Sequence, residues 1–263
     1  MGNDRLYIVI PAYNEEENIE TVIKDWYPVA EQAGKKSRLV VINDGSRDHT
    51  YEIVKALQEK YPQLIALNKK NSGHGPTCIY GYRYALENGA DYIFQTDSDG
   101  QTVAAEFWNF WEQRDKFDMV IGWRKHRKDG FSRVFVTKVL KLVIWLCFRV
   151  VVQDANTPFR LMKAKTLQKH LSLIPETYHL PNVLIAVIYA KKRLKVKYLP
   201  VTFKERQGGV NSIDFRKIVK IGKRSVVDFI SLNNVIEGGG GQNRCGKSIR
   251  EYLGMEFLEF ALL

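Results

Sequence analysis

Cysteine is scarce in this sequence, with three residues among 263, and no disulfide framework is expected. Cys78, Cys147 and Cys245 are scattered, odd in number and without the spacing of a metal site. A reducing, cytoplasmic compartment fits this cysteine usage better than an oxidising one. The first residues also lack a basic region followed by a long apolar run, so we expect no export signal.

Several motifs of well-known enzyme and binding classes are absent as well. The sequence has no GxSxG elbow and no HExxH helix, and its five histidines lack metal-ligand spacing. It also has no helix-turn-helix, zinc-finger or RNA-recognition pattern. These absences argue against serine hydrolases of the elbow type, zinc peptidases and the common nucleic-acid-binding modules.

Acidic residues are the minority among the charged ones, 29 against 40 basic residues, which gives a net charge of +11. A basic protein favours anionic partners, such as nucleic acid, phosphorylated small molecules or an acidic membrane surface. Without a recognisable module, nucleic acid remains only an alternative. The hydrophobic content of 45% is enough for a large buried core.

What the sequence does contain is an alternation of short apolar runs with amphipathic segments over its first 120 or so residues. This alternation predicts an α/β fold in which βαβ units form a mostly parallel sheet. The predicted strands are 6–10, 38–43, 64–68, 91–95 and 118–122. The predicted helices are 15–33, 50–60, 76–88 and 104–115.

Four consecutive predicted strands end in polar residues, in the segments PAYNEE, DGSRDHT, KKNSGHGPT and TDSDGQ. Ligands of parallel sheets bind outside the carboxyl ends of the strands, so these segments are predicted to meet at one site. In TDSDGQ, Asp97 and Asp99 are separated by one serine, and their like charges favour a cation between them. A solvated turn is the alternative, since Asp, Ser and Gly are common turn residues.

These motifs, in this order and followed by DANTPFRLM, resemble the inverting family 2 glycosyltransferases, and most closely the polyprenyl-phosphate sugar transferases of the dolichyl-phosphate mannose synthase type. The resemblance covers roughly residues 5–232. It implies a GT-A fold over 1–233, with a Rossmann-like nucleotide-sugar half at about 1–122 and an acceptor half at about 123–233. Residues 234–263 are predicted to be a glycine-rich linker and a short tail, in which GQNRCGKS matches a phosphate loop only by chance.

The resemblance also assigns donor-binding residues. Those implied to bind the nucleotide sugar are Pro11, Ala12, Tyr13, Glu15, Asp44, Asp97 and Arg206. Asp44 can accept a hydrogen bond from a ring N–H of uracil or guanine, although capping a turn in NDGS is the alternative. Asp97 and Asp99 match the DxD metal motif, with Gln101 completing the site, and Asp99 is also placed at the reacting centre. Their hard oxygen atoms suit Mg²⁺ or Mn²⁺.

For the acceptor, the resemblance implies that Arg124, Arg133 and Thr137 hold a lipid phosphate. Asp154 is implied to lie near the acceptor. It acts as the general base if the acceptor is a sugar hydroxyl. A phosphate acceptor is already anionic and needs no base, and Asp154 is then expected to orient Arg160 or another cation.

Two segments, 134–152 and 213–230, are predicted to be basic amphipathic helices. The cations within 134–152 argue against a membrane span, because each costs about 2.5–3.5 kcal/mol at the bilayer centre. We therefore expect a cytoplasmic protein that binds peripherally to the anionic inner face of the membrane. Packing of both helices on the sheet is the alternative.

The expected function is metal-dependent, inverting transfer of a hexose from a UDP- or GDP-linked sugar to a polyprenyl phosphate, undecaprenyl or dolichyl. One alternative keeps the transfer but gives it a saccharide hydroxyl as acceptor, as in cell-surface polysaccharide synthesis. A second alternative is a protein that binds a nucleotide sugar or nucleic acid without turnover.

Overall fold

The computed structural model describes residues 4–124 and 131–204, together with Phe229 and Asn233; side chains are described for all of these except residues 131–138. Seven strands are present in this part of the chain: β1 Leu6–Ala12, β2 Arg38–Asn43, β3 Leu64–Asn68, β4 Tyr92–Gln95, β5 Met119–Arg124, β6 Arg160–Lys163 and β7 Val196–Val201. The helices are α1 Ile19–Ala33, α2 Thr50–Lys60, α3 His74–Glu87, α4 Phe107–Trp111, α5 Phe131–Phe148, α6 Ala164–Leu171 and α7 Pro181–Lys191.

Every strand and helix predicted for the first 122 residues is present, with bounds shifted by a few residues. The largest shifts are at α1, which begins at Ile19 because YNEEEN (13–18) forms the loop after β1, and at the predicted helix 104–115. There a 3-10 turn at Ala104–Glu106 precedes the short α4. The first amphipathic segment is helical in α5.

The seven strands form one mixed sheet in the order β3-β2-β1-β4-β6-β5-β7. Strands β1 to β4 are mutually parallel, whereas β6 runs antiparallel to both of its neighbours, β4 and β5. β5 and β7 are parallel to each other. Because β6 reverses direction between them, β4 and β5 point the same way, and their carboxyl ends lie at the same edge as those of β1 to β3.

The two faces of the sheet are buried by different layers. On one face, Trp26 of α1 lies 5.2 Å from Phe94 of β4, and Phe94 lies 4.7 Å from Phe159, measured between ring centroids. On the other face, α3 approaches the sheet closely at Gly81, where a Cβ atom would lie 2.4 Å from Val9 Cγ1. Only glycine allows this approach, and it brings the amino end of α3 to the edge at which the parallel strands end.

The chain divides into two compact units, Met1–Arg127 with Gln153–Gly209, and Lys128–Val152 with Val210–Leu263. The first unit contains the sheet, and β6 and β7 join it from beyond residue 123. The predicted division near residue 122 therefore does not coincide with an edge of the sheet. In the second unit the Phe148 and Phe229 rings lie 5.2 Å apart.

No helix in the described ranges is long and apolar enough to cross a membrane. The second predicted amphipathic helix, apart from Phe229, and the predicted linker and tail at 234–263 lie outside the described residues.

Candidate active site

The loops that follow β1 and β2 are joined to each other by hydrogen bonds at the carboxyl edge of the sheet. The Asn14 N–H donates to Ser46 Oγ at 3.0 Å, and the Glu15 N–H donates to Thr50 Oγ1 at 2.9 Å. Asn14 has a positive φ of 55°, which asparagine tolerates better than most residues. The polar sequence PAYNEE therefore serves to fix the first wall of a cleft.

Asp44, directly after β2, organises a second wall. Its carboxylate is buried, with 3% of the residue exposed. It accepts hydrogen bonds from Lys69 Nζ, from the Ser72 N–H at 2.9 Å and from the Gly73 N–H at 2.8 Å. Gly45, with a φ of +63°, lets the chain turn at once, since a Cβ there would lie 2.7 Å from the Asn71 backbone nitrogen.

These contacts decide the charge state of Asp44. Burial by itself raises the pKa of this carboxyl, but the hydrogen bonds from Lys69, Ser72, Thr77 and Gly73 outweigh it. The pKa is therefore lowered from its ordinary value, and the carboxylate is ionised at neutral pH. Since these donors already occupy both carboxylate oxygens, the predicted bond to a nucleotide base has to use a remaining lone pair.

The walls enclose a cavity of about 330 Å³ that contains most of the donor residues predicted from the sequence. Its lining includes Pro11, Ala12, Tyr13, Glu15, Asp44, Gly73, His74, Asp97, Ser98 and Asp99. Tyr13 is 42% exposed, so one side of its ring is accessible from the cavity. A volume of this size, with an accessible ring and buried carboxylates, is suited to a nucleotide-sized ligand.

Asp97 follows β4 and contacts two donors through the same oxygen. His74 Nε2 lies 3.0 Å from Asp97 Oδ1, and Gln95 Nε2 donates to this atom, also at 3.0 Å. Interactions with Cys78 and with the Asp97 carboxylate raise the pKa of His74 well above its usual value. Within the described residues Oδ2 accepts no hydrogen bond, so this oxygen is available to a cation.

Asp99 is held in the turn that the sequence suggested, because its Oδ1 accepts the Gln101 N–H at 3.1 Å. The turn and cation interpretations of TDSDGQ are therefore compatible: the turn brings both carboxylates to the cavity. The described residues contain no group of three or more His, Cys, Asp or Glu side chains arranged around a metal position. Two carboxylates fit a Mg²⁺ or Mn²⁺ ion only if other oxygen atoms, such as those of a diphosphate and water, complete its coordination.

Gln101, the third predicted ligand, is hydrogen-bonded to the segment that follows β7. Its side-chain Nε2 donates to the Lys204 carbonyl at 3.0 Å, and the main-chain carbonyl of Gln101 accepts the Lys204 N–H at 2.7 Å. Its role as a ligand stays a prediction. Arg206, two positions after Lys204, lies outside the described residues.

Asp154 and Arg124 form an ion pair with two contacts. Arg124 Nε lies 3.2 Å from Asp154 Oδ2 and Arg124 Nη2 lies 3.3 Å from Oδ1. The Arg124 guanidinium also stacks on Phe203, 5.2 Å from its ring centre. The alternative partner suggested for Asp154, Arg160, is fully buried and donates to the carbonyls of Ala155, Thr157 and Asn182. Asp154 therefore pairs with Arg124 through two hydrogen bonds, whereas the hydrogen bonds of Arg160 are to main-chain carbonyls.

The two other predicted acceptor residues, Arg133 and Thr137, belong to α5, but their side chains are not described. Their role stays a prediction.

Sequence reasoning did not single out several residues that organise the site. Lys69 was part of a quoted polar segment, and its position directly after β3 is the signal that could have identified it as a partner of Asp44. Gln95, a buried amide at the end of an apolar strand, and Asn182 on α7 were also missed. A polar residue in an otherwise apolar strand is the only local signal for Gln95.

A cavity at the carboxyl edge of a mixed sheet, with two neighbouring aspartates at its rim, is typical of nucleotide-diphosphate-binding α/β proteins. Residues 7–171 match the family model described as "Glycosyl transferase family 2". This match covers more than half of the chain, and the protein belongs to this family. The resemblance seen in the sequence motifs and the predicted fold class are thereby confirmed.

A similar curated protein is the undecaprenyl-phosphate 4-deoxy-4-formamido-L-arabinose transferase of Salmonella paratyphi B, which is 26% identical over 220 residues. The alignment covers 82% of this chain and 65% of the relative, so the chain spans about two thirds of the length of the curated relatives it matches. This relative agrees with the likeness to polyprenyl-phosphate sugar transferases.

Solved structures of similar fold are also glycosyltransferases. Glucosyl-3-phosphoglycerate synthase from Mycobacterium tuberculosis, in complex with Mn²⁺ and UDP-glucose, has a TM-score of 0.63 at 15% identity, covering 88% of this chain and 80% of that one. S. aureus TarS, in complex with UDP-GlcNAc, has a TM-score of 0.58 at 16% identity, covering 88% of this chain and 70% of that one. At these identities the likeness shows the GT-A fold.

Proposed function

We propose that this protein transfers a hexose, with inversion and with a divalent cation, from a nucleotide diphosphate sugar to a polyprenyl phosphate. The observation that carries the proposal is the cavity in which Tyr13, Asp44, Asp97 and Asp99 meet. It combines a stacking surface for a base with two carboxylates for a metal-bound diphosphate. Family membership supports the reaction class.

The donor nucleotide lies with its base against Tyr13, and Asp44 accepts a base N–H with its remaining lone pair. Pro11, Ala12 and Glu15 form the adjoining wall, and Arg206 reaches the diphosphate. The solved structures that contain UDP-glucose and UDP-GlcNAc support uracil over guanine as the base of the donor.

Asp97 and Asp99, with Gln101, hold Mg²⁺ or Mn²⁺. When bound, this ion neutralises the charge that develops on the leaving diphosphate. His74 lies beside Asp97 and partly balances the negative charge of the two aspartates. Asp99 lines the same cavity, and its proposed second role is to place a negative charge beside the reacting centre when the donor is bound.

The Arg124–Asp154 ion pair favours a phosphate acceptor over a hydroxyl. A carboxylate that accepts two guanidinium N–H groups is a weak base, because protonating it breaks a charge-assisted pair. A phosphate is already anionic and loses no proton on attack, so a weak base at this position is sufficient. Arg124, Arg133 and Thr137 then bind the acceptor phosphate, and the undecaprenyl-phosphate transferase of Salmonella is a relative with this acceptor in its name.

Transfer to a hydroxyl is the second candidate, since the fold also occurs in a synthase solved with phosphoglyceric acid. In this case Asp154 would be the general base and would have to exchange its bond with Arg124 for one to the acceptor. The two candidates therefore differ in what Asp154 is required to do.

A lipid acceptor implies contact with a membrane, and α5 has a surface suited to it. Its exposed face combines Leu142 and Trp145 with Lys141. Arg149 directly follows the helix, and its guanidinium lies 5.0 Å from the Trp145 ring. Apolar and aromatic residues beside cations are typical of helices that lie in the membrane interface. With a net charge of +11, the protein is proposed to bind the anionic cytoplasmic leaflet peripherally.

The function is tested by release of nucleoside diphosphate from UDP- and GDP-linked hexoses, with and without undecaprenyl phosphate, in Mn²⁺, Mg²⁺ or EDTA. We expect release that requires both the lipid phosphate and the metal. Nucleoside diphosphate release that does not depend on the lipid phosphate but is stimulated by a saccharide would refute the proposal of a lipid-phosphate acceptor. Binding of the donor without release under any condition would leave only a binding protein.

Two variants separate the acceptor classes by steady-state kinetics. With a phosphate acceptor, Arg133→Ala raises the acceptor KM by roughly ten- to a hundredfold, because a charge-assisted contact contributes about 1.5–3 kcal/mol. Asp154→Asn then retains measurable turnover. With a hydroxyl acceptor, losing the base lowers kcat by about 10² to 10⁴, and Arg133→Ala has little effect. An inactive Asp154→Asn beside an unaffected Arg133→Ala contradicts the lipid-phosphate proposal.

A further inference from the structure

A chain of buried polar side chains runs through the apolar layer between the sheet and helices α3 and α7 and ends on Asp97. Tyr82 Oη donates to Asn182 Oδ1 at 2.9 Å, and Asn182 Nδ2 donates to Gln95 Oε1 at 2.9 Å. Gln95 Nε2 then donates to Asp97 Oδ1 at 3.0 Å. The members come from α3, α7 and β4, and the first two of the three hydrogen bonds join residues that are distant in sequence.

The burial of these groups is unusual for residues that only fill space. Tyr82 and Gln95 are 0% exposed and Asn182 is 2% exposed. A buried amide without partners costs free energy, and an apolar residue of similar size would fill the same volume. Here every polar atom of the Gln95 side chain is used, one toward Asn182 and the other toward Asp97.

The direction of the hydrogen bonds is the same at each step. Burial raises the pKa of Tyr82 well above its usual value, so its hydroxyl keeps its proton and donates. Each amide accepts from the residue behind it and donates to the residue ahead, and successive bonds of this kind polarise one another. This series of hydrogen bonds therefore directs a donor, Gln95 Nε2, to Oδ1 of Asp97 and leaves Oδ2 for a cation.

The hydrogen-bond chain is also anchored at its middle residue, Asn182. The Arg160 guanidinium donates to the main-chain carbonyl of Asn182 at 2.8 Å, and Arg160 is level with Gln95 across the β4–β6 pair. Asn182 is thus held by its backbone as well as by its side chain. This leaves the Gln95 amide little freedom to rotate.

We infer that Tyr82, Asn182 and Gln95 are positioning residues that orient the Asp97 carboxylate for its divalent cation. This inference rests on the proposed metal site and adds the residues that set the geometry of its first ligand. None of the three touches substrate or metal, and each acts through the next. Groups that orient a metal ligand in this way commonly change metal affinity about 10- to 100-fold when removed.

The test is Mn²⁺ binding in the presence of UDP, followed by electron paramagnetic resonance, together with the melting temperature of each full-length variant. Gln95→Met removes the donor at similar volume, and we expect the Mn²⁺ Kd to rise about tenfold. Tyr82→Phe removes only the far donor, so its effect is smaller, on the order of two- to fivefold. UDP binding in EDTA should be unchanged, because the variants leave the charge of Asp97 in place.

Tyr189→Phe is the matched control. Its hydroxyl is also buried, but has no hydrogen-bond partner among the described residues, so the same substitution should leave the Mn²⁺ Kd unchanged. Lower melting temperatures with an unchanged Mn²⁺ Kd in both Gln95→Met and Tyr82→Phe would overturn the inference and leave the proposed function intact. A wild-type protein that binds no Mn²⁺ with UDP would overturn both the inference and the metal site. If Mn²⁺ binds as expected but no sugar is transferred to the lipid phosphate, only the proposed acceptor is refuted.

Discussion

Replacing Asp44 by asparagine should destabilise the protein strongly, although the substitution changes one atom. The carboxylate accepts hydrogen bonds from Lys69 Nζ, the Ser72 N–H and the Gly73 N–H. An asparagine can serve the first two donors with its one oxygen, but its amide group then faces the Gly73 N–H. The substitution therefore removes a charge and leaves a buried donor opposite another donor.

The magnitude follows from these losses. Charge-assisted hydrogen bonds exceed neutral ones by about 1 kcal/mol each, and an unsatisfied buried donor costs about 1–3 kcal/mol. Lys69 keeps bonds to the Lys70 carbonyl and to Ser72 Oγ, which limits its loss. We expect the free energy of unfolding to fall by about 3 kcal/mol at neutral pH, and the UDP Kd to rise as the loop loosens.

The effect should also depend on pH in a defined direction. The pKa of Asp44 is lowered in the folded protein, so its contribution is complete above the unfolded-state pKa of about 3.9 and is lost as the pH falls through the folded value. The difference in urea unfolding between wild type and Asp44→Asn should therefore be constant from pH 7 down to about pH 4, and should shrink only as the pH falls further through the folded pKa. Glu20→Gln, which breaks an exposed ion pair with Lys24, is the control and should leave the free energy of unfolding nearly unchanged, because solvent screens exposed pairs. A difference that is equally small for both variants, or independent of pH, would refute the reasoning.

The remaining predictions concern the metal, the membrane and the packing of α3. Asp97→Asn or Asp99→Asn should abolish transfer and its response to Mn²⁺. Near-normal, metal-stimulated turnover would instead indicate that the two aspartates only form a turn. The protein should sediment with anionic vesicles at low salt and less at high salt, and Trp145→Ala should reduce this binding. Equal binding to neutral vesicles, or none to either, would contradict the interfacial role. Gly81→Ala should lower the free energy of unfolding by about 1–3 kcal/mol, because its Cβ would overlap Val9; unchanged urea unfolding would show that α3 can move away.

Much of the fold could be predicted from the sequence because β1 to β5 are short apolar runs separated by amphipathic helices. The second half of the sheet was less accessible. β6 has only four residues, and its antiparallel pairing depends on contacts distant in sequence. In α7, Pro181 to Tyr189 are all buried, so the helix lacks the polar face that gives amphipathic helices their periodic pattern.

The site shows the same contrast between local and distant signals. The polar segments that contain Tyr13, Asp44 and Asp97 were predicted to meet because they follow strands, where a parallel sheet places its ligands, and the family resemblance assigned the individual residues. The partners of Asp44 and Asp97 could not be predicted in this way. Asn182 meets Gln95 across 87 positions of sequence, and Tyr82 meets Asn182 across 100, and neither pairing leaves a local pattern.

The position of β6 between β4 and β5 has a consequence for folding during synthesis. When the ribosome has completed β5, neither of its two neighbours in the sheet, β6 and β7, yet exists, and β4 has an unpaired edge. A nascent chain at this stage exposes strand edges that are prone to aggregate. Since residues 160–163 of β6 pair with the β4 edge, a fragment ending after β5 should not fold stably, and the edge of the sheet beside the cleft is completed only after β6 has left the ribosome.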